Sequence, residues 1–407
     1  MILVHEWGHF ASARKFGVKV EEFGLGIPPR AKKLFTDKKG TLFSLNRLPL
    51  GGFVRLYGEN PQLLQDKNSK EALFNKPAWQ QSIIILAGVF MNFVLAIFIF
   101  SLLFFFGVKP VGVNTVIPTE VESKLIPTYE QALESGILIK GEGVALYPIE
   151  DSIAKNAGIN EGDILTHVIV NNEQLTINSP NEVIDLVGKH AGEEIELILN
   201  TSSQPSPLEE KEQEQSSSPS PNKGEGLGVR SVKVTPSSDG KIGAYLGDNI
   251  KINENFEYNY SIFESIKYGT TETYSQIVLT FKGIGLLGKK IFNPDTPEQR
   301  EEAISQVSGP IGIVDFISNS VEAGFKFILI IGAIISINLG VFNLLPIPAL
   351  DGGRFVFITL NGLIHKTFGF KFISEKSENI IHLLFFILLI ALSLIIGYND
   401  VIKIISR

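Results

Sequence analysis

Three stretches of this 407-residue chain carry almost no charge, and they decide what surrounds it. Ile83 to Phe106 has no acidic or basic residue, Phe325 to Leu350 has only Lys326, and Ile380 to Ile396 has none. A bilayer core of roughly 30 Å is crossed by about 20 apolar helical residues. The first two runs meet that length. The third is slightly short, and Tyr398 with the residues after it completes it at the interface. A soluble protein that buries three such helices is the alternative, and runs of this length are rare outside membranes. The expected fold is a polytopic α-helical membrane protein.

Lys and Arg crowd the segment from Arg14 to Lys76, whereas Lys109 to Gly324 is poorer in them and rich in Glu. The excess of basic residues on cytoplasmic loops then places residues 14–81 in the cytoplasm and 109–324 outside. The final span returns the C-terminus to the outside. A net charge of −7 and the absence of a basic stripe argue against nucleic acid as a partner. There is no cysteine, so a metal would be held by His and carboxylates.

Between the apolar runs the pattern changes. Phe23 to Gly26, Thr41 to Leu45 and Gly52 to Leu56 read as short strands broken by Gly, Pro and Lys38-Lys39-Gly40, a small cytoplasmic sheet. In residues 130–250, Ala157 to Leu165 reads as a turn between a short helix and a strand. Val168 to Asn172 follows as strand and turn, Pro180 to Lys189 as a helix with Asn181 as a possible N-cap, and Glu194 to Leu199 as a further strand. An Ala-Gly-x-x-x-Gly-Asp turn within strand, helix and strand resembles a PDZ domain, a module that binds extended peptides by strand addition. Thr201 to Gly228 is Ser, Pro, Glu, Gln and Gly with almost no apolar residue, too polar to order itself, and reads as a disordered insert that ends at Val229. Residues 261–292 repeat Ile262, Phe263, Ile266, Tyr274, Ile277, Phe281 and Ile284 at helical spacing. They read as one or two amphipathic helices near the membrane surface whose apolar residues make ordinary packing contacts.

The chemistry is concentrated in two places. His5-Glu6-Trp7-Gly8-His9 fits H-E-x-x-H. On a helix, residues four apart share a face, so both histidines can reach one metal, and Glu6 can reach a water held there. A catalytic zinc takes three protein ligands and an open position. His167 and His190 fall in the soluble module, His365 in a polar loop, and His382 at the start of the last run. Asp351 is the better third ligand. It follows an apolar run directly, in Asn343-Leu-Leu-Pro346-Ile-Pro348-Ala-Leu-Asp351-Gly-Gly, where two prolines and two glycines break the helix. Broken backbone and a carboxylate at membrane depth are tolerated where they line a site.

Taken together, H-E-W-G-H, P-L-G-G-F-V at Pro49 to Val54, A-G-V-F-M-N at Ala87 to Asn92, the PDZ-like module, S-G-P-I-G at Ser308 to Gly312 and N-L-L-P-I-P-A-L-D-G-G resemble the site-2 protease family, most closely its bacterial regulator-of-sigma-E branch. The resemblance runs from His5 to about Lys403, the insert excepted. It implies an intramembrane zinc metalloprotease, with His5, His9 and Asp351 on Zn2+ and Glu6 as general base. It further implies that Asn343 helps to hold substrate and that Gly52, Phe53 and Val54 lie on a membrane-associated hairpin that pairs with it. The substrates implied are single-span membrane proteins, such as anti-sigma factors, or remnant signal peptides, cut at an inner membrane near its cytoplasmic side.

The expected organisation is a catalytic membrane half over 1–108 and a PDZ domain over 130–250 with its insert at 201–228. Amphipathic linking helices follow over 251–324, and a second catalytic membrane half over 325–407. The full fold class is about four transmembrane helices with an inserted α/β PDZ domain and a small cytoplasmic β-hairpin region. Two other readings are a soluble H-E-x-x-H metallopeptidase, which the apolar runs oppose, and a membrane-anchored PDZ adaptor without catalysis, which the intact metal triad opposes.

Only Met1-Ile2-Leu3-Val4 precede His5, too few to complete a first membrane helix, so that helix reads as truncated. We expect the codons directly upstream of Met1 to continue in frame with roughly a dozen apolar residues, as span length requires. Genomic sequence tests this. An in-frame stop immediately upstream, together with full activity of the 407-residue form, would refute it.

Overall fold

The structure is a computed structural model describing residues 1–59, 66, 68–117, 120–200, 228–305, 307, 309–319, 324–368, 373 and 375–405. By internal contacts the chain divides into two compact units, Met1–Thr128 with Glu257–Arg407, and Tyr129–Phe256.

The first unit begins with helix α1 (Ile2–Lys15). It packs against α2 (Ala78–Phe106), and the two helices touch through glycines. A Cβ on Gly8 would stand 2.3 Å from the Ala87 carbonyl oxygen, and one on Gly88 would meet His9 Nε2 at 2.5 Å and His5 Cε1 at 2.7 Å. Only bare backbone allows this approach. Phe10, Ala13, Val18, Val20, Phe23, Leu56, Leu73 and Ile84 form the core beside the crossing.

Between α1 and α2 lie two long antiparallel strands, β1 (Val20–Thr36) and β2 (Leu42–Leu56). The sequence had suggested three short strands. Instead the two strands bend and wrap, so that Phe23 faces both Val54 and Phe43, and Leu25 both Gly52 and Leu45. The chain turns at Asp37–Gly40, where Asp37 accepts the Lys39 and Thr41 N–H groups. Glu22 anchors the sheet from inside: it accepts Ser44 Oγ at 2.6 Å and Arg30 Nη2 at 2.8 Å, and Arg55 stands at 3.4 Å. Burial pushes its carboxyl up, but the Ser44 and Arg30 hydrogen bonds and the two guanidinium charges outweigh burial and hold it below its ordinary value.

The second unit contains α3 (Tyr129–Glu134), β3 (Leu138–Pro148), α4 (Ile153–Asn156), β4 (Asp163–Val170), β5 (Glu173–Thr176), α5 (Pro180–Lys189), β6 (Ile195–Asn200), β7 (Val229–Val234) and β8 (Ala244–Ile252). Its strands run β7-β6-β4-β3-β8, with β5 paired to β4. Val144, Leu146, Leu165, Val168, Val183, Leu197 and Leu199 fill the core. The Ala-Gly-x-x-x-Gly-Asp turn has a mechanical reason. Gly158 and Gly162 take left-handed φ values of 84° and 81°, and buried Asp163 accepts the Asn160 N–H and pairs with Arg230. The α5 helix is capped by Ser179, not Asn181, because Ser179 stands one residue before Pro180 and accepts the Glu182 N–H. The expected disordered insert lies outside the described residues except for Gly228, and its flanks Asn200 and Val229 are paired.

The chain rejoins the first unit at Glu257. Helix α6 (Ile262–Phe292) is one continuous element opened by a Ser261–Glu264 capping box. Its packed face is more polar than the apolar spacing suggests, although Leu279 is buried and Ile277 and Ile284 are half-buried. Ser265, Gly269, Glu272, Thr273, Ser275 and Gln276 are buried, while Ile262, Phe263, Ile266, Tyr274 and Phe281 are exposed. Small residues let a helix approach its neighbours closely, and polar ones hydrogen-bond across the contact. Gly269 lies against Ser101 of α2, and Glu272 accepts Ser123 Oγ at 2.7 Å and the Lys124 N–H at 2.8 Å, tying residues 123–124 to this helix.

After α7 (Pro297–Ser305) and α8 (Pro310–Asn319) come α9 (Phe325–Leu344), α10 (Asp351–Phe368) and α11 (Glu375–Ile405). The apolar run from Phe325 stops being helical at Leu344 because Pro346 has no N–H to continue it. His365 falls inside α10 rather than in a loop, since the chain re-forms a helix at Asp351. Asp400, buried on α11, accepts the Gly309 and Gly312 N–H groups at 2.9 and 2.8 Å, which accounts for the glycines of S-G-P-I-G. Among the described residues, α2, α9 and Ser377–Ile405 are long and apolar enough to cross a membrane.

The α1–α2 contact predicts opposite outcomes for two glycines. Gly8→Ala should destabilise the protein by about 1–3 kcal/mol, as overpacking does against backbone that cannot move. Gly285→Ala, with nothing within 4 Å of its Cβ position, should be neutral or stabilise α6 by up to about 1 kcal/mol. Thermal unfolding of the detergent-solubilised variants reads both. Equal midpoints would contradict the close crossing.

Candidate metal centre

Three side chains from distant parts of the sequence converge where α1, α2 and the start of α10 meet. His5 Nε2 is 3.2 Å from His9 Nε2 and 3.0 Å from Asp351 Oδ2, and His9 Nε2 is 3.5 Å from the same oxygen. Ligands about 2.0–2.1 Å from a tetrahedral ion stand about 3.3 Å from one another, so this triangle has the size one zinc requires. Two imidazole nitrogens and a carboxylate oxygen are also a donor set that zinc accepts. Among the described residues they form a group able to hold a metal ion.

Each histidine is aimed by α2. His9 Nδ1 donates to the Ile84 carbonyl at 2.8 Å, which leaves Nε2 unprotonated and free to bind. The Asn92 side-chain nitrogen lies 3.2 Å from His5 Nδ1, and the Asn92 oxygen is buried with no hydrogen-bond partner. Turning this amide end for end would let its oxygen accept from Nδ1–H and leave His5 Nε2 free, as a zinc ligand requires. Asn92 is held in turn by α9, where Ser336 Oγ donates to its backbone carbonyl at 3.0 Å. Asp351 opens α10, and Gly352 and Gly353 behind it lie so close to the carbonyls of Leu344, Leu345 and Ile347 that a side chain has no room.

Glu6 lies beside the triangle. Its carboxylate lies near the Val54 backbone and within electrostatic reach of His5, His9 and Asp351. A Cβ on Gly52 would be 3.6 Å from Glu6 Cγ. Gly52, Phe53 and Val54 form extended backbone paired with Leu25, Gly24 and Phe23. Asn343 is half-buried on the last turn of α9. Three other histidines have partners of their own: His167 bonds Thr166, His190 pairs with Glu193, and His382 accepts the Ala349 N–H.

Sequence reasoning singled out His5, Glu6, His9 and Asp351, and the structure brings them together. It gave no role to Asn92, Gly88 or the Ile84 carbonyl. The signal for Asn92 was a lone amide within an uncharged span, expensive in apolar surroundings unless paired. A backbone carbonyl has no sequence signal at all.

Known proteins resemble this chain along almost its whole length. Residues 1–392 match Peptidase family M50. The chain is 27% identical to the regulator of sigma E protease of Haemophilus influenzae, over 99% of this chain and 96% of that protein. It is 29% identical to a putative zinc metalloprotease of Nostoc, over 90% and 84% respectively. It is 26% identical to the zinc metalloprotease RasP of Shouchella clausii, over 100% and 97%. With its membrane-spanning helices and this family match over almost its whole length, the chain belongs to peptidase family M50, the site-2 proteases, and is an integral membrane zinc metallopeptidase.

Proposed function

We propose that His5, His9 and Asp351 hold the zinc and that Glu6 is the general base for hydrolysis of peptide bonds in or near the transmembrane segment of single-span substrates. The convergence of the two Nε2 atoms and Asp351 Oδ2 to within 3.5 Å carries the assignment. Zinc bound there supplies a water whose pKa is lowered to about 7 and a Lewis acid for the scissile carbonyl. Glu6 accepts the proton that the attacking water loses and returns it to the departing amine nitrogen. The extended backbone at Gly52, Phe53 and Val54 borders Glu6, so a substrate strand laid along it would bring its peptide bond to the base. Such a strand must first be unwound from its own helix. Asn343, on the last turn of α9, serves to hold that strand.

Regulator of sigma E protease, the name of one relative, favours anti-sigma-factor-like substrates. Remnant signal peptides have the same single-span chemistry. The basic residues between Arg14 and Lys76 support a cytoplasmic position for the β1–β2 sheet in a cell inner membrane, with 129–256 outside. The unit at 129–256 then acts as a PDZ domain that selects substrates. A catalytically silent adaptor is disfavoured because every residue the chemistry needs is in place.

Replacing His5, His9 or Asp351 with Ala should each abolish bound zinc or weaken it strongly, as two protein ligands hold it poorly. Unchanged zinc in Asp351→Ala, measured by metal analysis of purified protein, would remove Asp351 from the site. Glu6→Gln should retain zinc while turnover of a single-span substrate falls on the order of 10²- to 10⁴-fold, because the amide accepts no proton. Near-normal turnover would overturn the assigned base.

A further inference from the structure

The loop between α9 and α10 carries Asp351, and most of its amides are satisfied within the loop or the helix end. Pro346 and Pro348 have no N–H. Leu345 donates to the Phe342 carbonyl, Ile347 to that of Leu345, and Leu350 to that of Ile347. Ala349 is different on two counts. Its φ is +83°, a left-handed conformation that an L residue adopts only when its surroundings impose it. Its N–H leaves the loop and donates to His382 Nδ1 of α11 at 2.8 Å.

The His382 ring is itself fixed. Phe357 of α10 packs edge-on against it at 5.5 Å, and Glu378 Oε1, a turn earlier on α11, lies 3.8 Å from Nε2. Accepting at Nδ1 requires the tautomer with its proton on Nε2, and Nε2 is buried with no hydrogen-bond partner. His382 also lines a cavity of about 590 Å³ with Ala349, Arg354 and Glu378. Its hydrogen bond toward the metal centre is the one from Ala349, two residues before Asp351.

We propose that His382 is a positioning residue: by accepting the Ala349 N–H it holds this loop in its left-handed turn and so aims the Asp351 carboxylate at the two histidines. The proposal rests on the assignment of Asp351 as a zinc ligand. Groups that orient a metal ligand typically change metal affinity on the order of 10- to 100-fold when removed.

The test compares His382→Phe, which has no acceptor, with His382→Asn, whose Oδ1 stands near the place of Nδ1. His382→Leu replaces the Phe variant if the larger ring prevents folding. Three quantities are measured on the detergent-solubilised full chain: hydrogen exchange of the Ala349 amide in zinc-free protein, zinc affinity by chelator competition, and kcat and KM on a single-span substrate. In the Phe variant Ala349 exchange should rise at least about tenfold, zinc affinity should fall on the order of 10- to 100-fold, and kcat should fall with KM little changed. The Asn variant should recover protection and most of the affinity. Wild-type exchange and affinity in the Phe variant would overturn the proposal, as would an Asn variant that recovers neither. If Ala349 protection depends on His382 while zinc content is indifferent to Asp351, the loop anchor stands and the ligand assignment falls.

Discussion

Everything at the metal centre depends on how closely α1 approaches α2. The Gly8 and Gly88 backbones come within van der Waals range, so the His5 and His9 rings lie directly over α2. At that distance the Ile84 carbonyl and the Asn92 amide reach the imidazole Nδ1 atoms, and both Nε2 atoms turn to the same point. A methyl group on Gly8 would press on the α2 backbone, and one on Gly88 would stand where the two imidazoles lie. The metal centre is therefore built from a packing contact first and from ligand chemistry second.

The same logic extends outward. Where the surroundings are apolar, burial of apolar side chains gives helices little reason to associate, and small or polar residues supply the contacts. Helix α6 follows this rule with its buried row of Ser265, Gly269, Glu272, Thr273, Ser275 and Gln276. Ser336 on Asn92 and Thr280 on Asn338, at 2.9 Å, add polar ties between helices. Leu383, Leu384, Phe386, Ile387 and Leu388 on α11 are left facing outward.

How much of this was legible depended on the range of the interaction. The His5–His9 pair follows from helical spacing, and Asp351 from a helix broken by Pro346 and Pro348, so these three residues, which the structure brings within 3.5 Å, could be named from the chain. Pro180–Lys189 was readable because its cap and its end are local, although Pro180 hid Ser179 as the true cap. The β1–β2 register was not readable, since Phe23 pairs with both Val54 and Phe43 and no local pattern encodes a double partnership. The packed face of α6 is not legible, because Gly269, Glu272 and Ser275 meet partners distant in sequence that no local periodicity encodes. Asn92 and His382 carry no such signal because each contacts another residue of the proposed site, Asn92 the His5 ring and His382 the Ala349 N–H.

The central claim is that zinc is held by two imidazoles and one carboxylate. X-ray absorption at the zinc edge of the purified, zinc-loaded protein reads the ligand set directly. The account predicts two imidazole nitrogens, recognised by their outer-shell scattering, with the remaining neighbours oxygen at about 2.0–2.2 Å. A third imidazole in the first shell, drawn from His167, His190, His365 or His382, or a shell without imidazole, would contradict it.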